Sequence, residues 1–249
     1  MSEGFKDLFS GHSQDYAKFH PVYPGALFRY LASLASARGL ALDCATGNGQ
    51  AAILLAEYFD QVVAADPSER QLANAPAHPR VRYRRAAAED SGLPAGSVDL
   101  VTAAQAFHWF RQEEFFREAR RVLKPEGILA FWCYAMSKIS PAVDAAIVRF
   151  YEETLEGCWQ PERRLVDEGY QNVRWPFQDV PSPPFTMTAR WSLDQLLGYL
   201  GTWSAVKTYK ERSGRDPLEL LRPELKATWG PKLSRDVRWE LSLRVGKRM

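Results

Sequence analysis

The residues best suited to chemistry form one short run of small and acidic side chains, Asp43-Cys44-Ala45-Thr46-Gly47-Asn48-Gly49. Glycines at 47 and 49 allow backbone N–H groups to come close to a ligand, because no Cβ stands in the way. A helix beginning just after them would aim its unpaired N–H groups at the same ligand. Asp66 lies about 20 residues on, where an acid can accept hydrogen bonds from both hydroxyls of a ribose. A cap on the next helix is the structural role open to Asp66, and satisfaction by local N–H groups is the one open to Asp43. His108 follows a predicted strand end and is the candidate general base. A histidine held by packing and one hydrogen bond is its structural reading.

Two ligand classes fit the glycine turn. Gly47, Gly49 and Ala52 match G-x-G-x-x-A, the dinucleotide fingerprint, so an NAD(P)-dependent oxidoreductase is one expectation. Three features favour a ligand with an ammonium group, as in S-adenosylmethionine. Asp43 stands ahead of the glycines, where a carboxylate repels a pyrophosphate. About 40 residues precede the first predicted strand, whereas dinucleotide folds usually begin near theirs. Asp90 and Asp99 are read as further acids around the next strand ends.

The elements that must position these residues follow from periodicity. Leu27, Tyr30, Leu31 and Leu34 recur at helical spacing and predict a helix over Gly25–Arg38. Short apolar runs at Leu40–Asp43, Gln61–Ala65, Val81–Tyr83, Val98–Ala103 and Ile128–Cys133 read as strands. Helical patterns at Ala51–Tyr58, after Ser68 and at Gln112–Leu123 separate them, with Ser68 a candidate cap. This alternation predicts an α/β fold, a doubly wound and mostly parallel sheet. Arg80, Arg82 and Arg84 alternate through the third strand and read as solvated charges guarding a sheet edge.

Beyond Tyr134 the pattern loosens. Helices are expected at Ala142–Leu155, Leu193–Tyr209 and Pro217–Trp229, and strands at Thr186–Trp191 and Val237–Val245. No internal repeat or long linker marks a second domain, so one domain over 1–249 is expected. Its parts are an N-terminal helical lid (1–39), a ligand-binding core (40–134), a helical cap (135–235) and a last sheet strand (236–249).

Composition excludes several classes. The chain has 249 residues, a formal net charge of +2 and 46% hydrophobic residues. A charge so near balance argues against nucleic acid or an anionic membrane as partner. The three cysteines form no CxxC pair, and His12, His20 and His78 have no metal-ligand spacing, so no metal is expected. The N-terminus lacks the features of a signal peptide and no apolar run spans a membrane, which predicts a cytoplasmic protein. The oligomeric state, monomer or homodimer, stays open.

Taken in order, several segments resemble the successive motifs of class I S-adenosylmethionine-dependent methyltransferases. These are Leu42–Gly49, Ala65-Asp66-Pro67-Ser68, Ala88-Glu89-Asp90 and Val98-Asp99-Leu100-Val101. The branch is the one labelled type 11, similar to trans-aconitate methyltransferases. Gln105–Phe110 resembles its motif after the fourth strand, and Arg121–Gly127 its turn before the fifth. Tyr16–Pro24 looks like its N-terminal signature and Thr202-Trp203-Ser204-Ala205 its C-terminal one.

The resemblance implies a seven-stranded Rossmann-like sheet whose last strand, here Val237–Val245, runs antiparallel. It implies S-adenosyl-L-methionine as cofactor and a small-molecule acceptor methylated on oxygen or nitrogen. Some relatives methylate carboxylates. By carry-over, Asp43 and the backbone of Ala45, Thr46, Gly47 and Gly49 hold the amino acid part of the cofactor. Asp66 holds the ribose, and Pro67, Ala88 and Glu89 border the adenine. Gln105 sits under the sulfonium, and Tyr16 belongs to the same site. Tyr16, Phe19, Tyr23, Trp109 and Phe110 are aromatics suited to a cationic sulfonium. Two residues depart from the pattern. Ala45 replaces the first glycine of the usual G-x-G-x-G, and His20 replaces an arginine, so an anion contact there would be weaker and pH-sensitive. A catalytically silent cofactor-binding protein of the same fold is the remaining alternative.

Overall fold

The structure is a computed structural model that describes residues 20–249. The elements run α1 (Gly25–Leu34), β1 (Leu40–Cys44), α2 (Gln50–Leu55), β2 (Gln61–Asp66), α3 (Glu69–Ala73), β3 (Val81–Arg85) and β4 (Val98–Ala104). A 3-10 turn at Phe107–Trp109 leads to α4 (Gln112–Val122) and β5 (Leu123–Cys133). Then come α5 (Pro141–Arg149), a π-helical turn (Phe150–Thr154), α6 (Arg163–Asp167), β6 (Gln178–Asp179) and β7 (Phe185–Trp191). The chain closes with α7 (Leu193–Gly201), α8 (Ser204–Ser213), α9 (Leu218–Trp229) and β8 (Arg235–Lys247).

The sheet order is β3-β2-β1-β4-β5-β8-β6, with β7 also on β8. Strands β1 to β5 pair in parallel, and β8 is antiparallel to β5. The strand order reverses between β1 and β4, so a crevice opens beyond the carboxyl ends of these two strands. Among the described residues the sheet has eight strands, the mostly parallel Rossmann-like sheet expected with one further short strand. β8 is long enough to serve three partners, residues 242–247 pairing with β5, residues 246–247 with β6 and residues 235–241 with β7.

Alternation along the central strands loads both faces of the sheet. Ala41, Leu100, Ala130 and Trp132 belong to a core shared with α1, α2 and the later helices through Leu196, Leu200 and Trp229. Leu42, Cys44, Val101, Leu129 and Phe131 belong to a second core with α4, Val166 and Tyr170. Residues after Tyr134 therefore contribute to both cores. β3 lies at the sheet edge with Arg82 and Arg84 exposed, which suits charges that deter edge pairing.

Three expectations are corrected. α1 ends at Leu34, a turn short of Arg38, because the Arg38 guanidinium donates to the Ala32 carbonyl at 3.1 Å and closes the helix end. The helix expected over Leu193–Tyr209 is two helices. Thr202 Oγ1 donates to the Tyr199 carbonyl at 2.6 Å and Trp203 is extended, so the chain turns there. Asp99 is the second residue of β4, at the end of the sheet away from the crevice. It accepts from Lys124 Nζ at 2.7 Å and from the Leu40 N–H at 2.9 Å, so it holds strands together and faces no ligand.

Candidate active site

The crevice is built first by the turn between β1 and α2. Parallel register places Asp43 beside Thr102 of β4. The Asp43 carboxylate is fully buried and accepts from Thr102 Oγ1 at 2.7 Å and Thr46 Oγ1 at 2.6 Å. Burial pushes its pKa up to about 6 against the pull of the two hydroxyls, and the nearby Asp66 charge adds to the rise. The turn is then stitched to the end of β2. Thr46 N–H donates to the Ala65 carbonyl at 2.9 Å, and Gly47 N–H to Asp66 Oδ2 at 2.9 Å. Asp66, also buried, takes the Ser68 N–H on Oδ1 at 2.8 Å, while Ser68 caps α3 by accepting from Gln71 N–H at 3.3 Å. Pro67 is half-buried beside it.

Backbone strain collects here. Among the described residues, four that are not glycine have positive φ, and Ala45 (51°), Gln105 (54°) and Tyr170 (60°) are three of them. Each lies at the crevice or touches a residue that does, the usual place for such strain. Gly47 and Gly49 have φ of 57° and 83°. Among the described residues nothing lies within 4 Å of where a Gly47 Cβ would stand. A Cβ on Gly49 would come within 2.6 Å of the Tyr83 hydroxyl. Ala45→Gly should remove a left-handed cost of about 1–2 kcal/mol and lose about 0.4–1 kcal/mol through a freer unfolded chain. A net gain of about half a kcal/mol or more in urea unfolding is expected, with cofactor affinity undiminished.

The far wall comes from the ends of β4 and β5. Gln105 N–H donates to the Trp132 carbonyl at 2.8 Å. Its side-chain amide continues the ladder, donating to the Tyr134 carbonyl at 3.0 Å and accepting from the Tyr134 N–H at 2.8 Å. Ala88 is buried, and Glu89 accepts from the Arg111 N–H at 2.8 Å, tying the loop after β3 to the loop after β4. His108 is buried in the 3-10 turn with Nδ1 2.9 Å from the Tyr170 hydroxyl. Burial lowers its pKa to about 3, helped by the Arg163 charge, so the ring is neutral.

His20 is a correction to the anion contact read from the sequence. Its Nδ1 is 2.8 Å from the Tyr134 hydroxyl and its Nε2 is 3.0 Å from Thr202 Oγ1. Burial lowers its pKa to about 3, so it stays neutral across the physiological range. It joins the N-terminal and C-terminal signatures at the end of β5. Tyr16 and Phe19 lie outside the described residues.

Sequence reasoning missed Tyr134, Tyr170 and Arg163. Arg163 belongs to α6, which packs on the 3-10 turn that carries His108. Nothing in the local sequence separates it from Arg164, since both have an acid four residues on. The buried Asp43 carboxylate suits a ligand with an ammonium group and disfavours a pyrophosphate, and Asp66 suits a diol.

Residues 42–131 match the family model of the methyltransferase domain. A Dictyostelium discoideum protein assigned as a methyltransferase is 36% identical over 228 residues, covering 90% of this chain and 85% of that one. A Saccharomyces cerevisiae protein assigned as an S-adenosylmethionine-dependent methyltransferase is 30% identical over 138 residues, covering 52% of this chain and 46% of that one. Among solved structures, a protein from Anaeromyxobacter dehalogenans, titled a type II methyltransferase, superposes with a TM-score of 0.87. It is 46% identical and the match covers 93% of this chain and 99% of that one. The chain belongs to the class I S-adenosylmethionine-dependent methyltransferases and is an enzyme that uses S-adenosylmethionine as its cofactor.

Proposed function

We propose that this enzyme methylates a small-molecule acceptor on oxygen, with nitrogen as the secondary case, and that the reacting group is an oxygen anion such as a carboxylate. The observation that carries the reading is His108. A general base works best with a pKa near the working pH, and burial has lowered this imidazole to about 3. A carboxylate oxygen taking a methyl group has no proton to lose, whereas a hydroxyl or an ammonium must lose one. His108 is proposed to touch the acceptor through Nε2, which has no hydrogen-bond partner among the described residues.

When bound, S-adenosylmethionine supplies an electrophilic methyl group on a sulfonium. Asp43 and the backbone of Ala45, Thr46, Gly47 and Gly49 are proposed to hold its amino acid end, and Asp66 its ribose. Pro67, Ala88 and Glu89 border the adenine, and Gln105 lies toward the sulfur. Tyr16 keeps the role implied by the resemblance. The NAD(P) reading is disfavoured by the buried Asp43 carboxylate beside the turn a pyrophosphate would need.

Calorimetry with S-adenosylhomocysteine should give saturable binding, and none at millimolar ligand would sink the reading. Transfer of a labelled methyl group to a panel of acids, alcohols and amines should favour the acids. Measured with saturating cofactor and above the range in which Asp43 titrates, the kcat/KM profile for them should be flat from about pH 7 to about 9. A rise with an apparent pKa near 7 would mean that a base is at work. Cofactor binding without transfer to any acceptor would support the silent alternative.

A further inference from the structure

Arg163 is a charged side chain of the cap that the structure fixes from several sides. Its side chain is only 18% exposed, against 80% for Arg164 beside it. One edge of its guanidinium is fixed, with Nε donating to Asp167 Oδ1 at 3.0 Å and lying 3.2 Å from the Tyr151 hydroxyl. Tyr151 in turn donates to Asp167 Oδ2 at 2.6 Å, so the three groups lock one another. The guanidinium stacks near Trp159 at 5.0 Å and Tyr151 at 5.5 Å from the ring centroids. Tyr151 sits in the π-helical turn, a feature often found at functional sites.

The other edge is bare. Neither Nη nitrogen has a hydrogen-bond partner among the described residues, and neither is among the buried unpaired nitrogens, so both meet accessible space. α6 lies against the rim of the crevice, since Cys133 Sγ at the end of β5 donates to the Val166 carbonyl at 3.7 Å. α6 packs on the 3-10 turn bearing His108, and the Arg163 charge is felt at His108 and at Cys133, the last residue of β5. Trp203, 5.5 Å from Trp159 and 5.9 Å from Tyr151, follows the Thr202 that bonds His20. A desolvated guanidinium with a free planar fork is a receptor for a planar two-oxygen anion.

We infer that Arg163 is the acceptor-anchoring residue of this enzyme, and that the acceptor is an organic acid whose carboxylate docks on the two Nη nitrogens beside His108. One guanidinium carries one positive charge, which matches a carboxylate better than a phosphate dianion. The inference rests on the methyltransferase reading and deepens it by naming the group that selects the substrate.

The test titrates the full chain with a panel of small organic acids, the primary amide of each, and phosphate monoesters. Tryptophan fluorescence reports binding, with and without S-adenosylhomocysteine, because Trp159 stacks beside Arg163. At least one acid should bind 10- to 100-fold tighter than its amide, roughly the scale of a hydrogen bond to a charged group. Arg163→Gln should erase that preference while leaving S-adenosylhomocysteine affinity unchanged. Arg163→Lys should restore part of it, since it keeps the charge and loses the fork. No acid preferred over its amide, a preference that survives Arg163→Gln, or a phosphate monoester that outbinds every acid would each overturn the inference. The acid and amide comparison within the unmodified protein decides the matter even if both variants fail to fold. Failure of S-adenosylhomocysteine to bind would count against the methyltransferase reading instead.

Discussion

Asp43→Asn is expected to make the cofactor-free protein more stable at pH 8 while abolishing cofactor binding. Asp43 is fully buried, and its pKa rises from 3.8 to about 6 on folding. The folded state therefore holds this proton more tightly than the unfolded chain does. Stability then falls as pH rises from about 4 to about 6 and stays low above that range. A shift of this size corresponds to about 3 kcal/mol at 1.36 kcal/mol per unit. Asparagine is neutral and keeps a polar group between the Thr46 and Thr102 hydroxyls. Part of the gain is lost to less favourable hydrogen bonding, so a net rise of about 1–3 kcal/mol is expected. Urea unfolding at pH 8 and pH 4 measures it. The rise should vanish at pH 4, where the native carboxyl is already protonated. Equal effects at both pH values would show that ionisation of Asp43 is not the cause. Calorimetry with S-adenosylhomocysteine on the same variant should show affinity at least 100-fold weaker, because a buried acid is kept charged there to meet a cation. An asparagine variant that binds normally would remove Asp43 from the site.

Asp66→Ala is expected to damage both the turn and the binding. The Asp66 carboxylate accepts the Gly47 and Ser68 N–H groups, one on each oxygen. Removing it strands two donors at about 1–3 kcal/mol each if they stay dry. Water admitted into the space left by the side chain should limit the fall in stability to about 2–4 kcal/mol. Cofactor affinity should drop by a further 1.5–3 kcal/mol, roughly the scale of a hydrogen bond to a charged group. Asp66→Asn keeps an acceptor for one of the two backbone N–H groups and removes the negative charge, so it should cost less stability than Asp66→Ala and a similar share of the affinity. Loss of stability in Asp66→Ala with unchanged affinity would leave Asp66 a turn-holding residue alone.

The turn proposed to hold the cofactor was readable from the sequence because its determinants are local. Asp43, Ala45, Gly47 and Gly49 lie within seven residues, and a strand, a left-handed turn and a helix follow from that run alone. Ser68 as a cap and Arg82 and Arg84 on an edge strand are equally local, since capping and period-2 alternation act over a few residues. The antiparallel last strand came from the resemblance, while its pairing with β5, β6 and β7 came from the structure.

The acceptor half was decided by tertiary structure. His108 stands at the expected strand end, but its weak basicity comes from burial against Tyr170 and from the charge on Arg163, 62 and 55 residues away. His20, read as a pH-sensitive contact, is neutral because it is enclosed with Tyr134 and Thr202. Asp99, read at a ligand-facing end, lies at the opposite end, since the second residue of a parallel strand is at its amino terminus. Arg163 and Arg164 show the limit most directly. Both pair with an acid at i+4, and a step of about 100° around the helix sends one into the protein and the other into water. The sequence by itself determined the turn proposed to receive S-adenosylmethionine, because the bonds that shape it span a few residues. Which charge faces the acceptor was decided only when α6 packed on the turn after β4, because helical phase has meaning only against a neighbour.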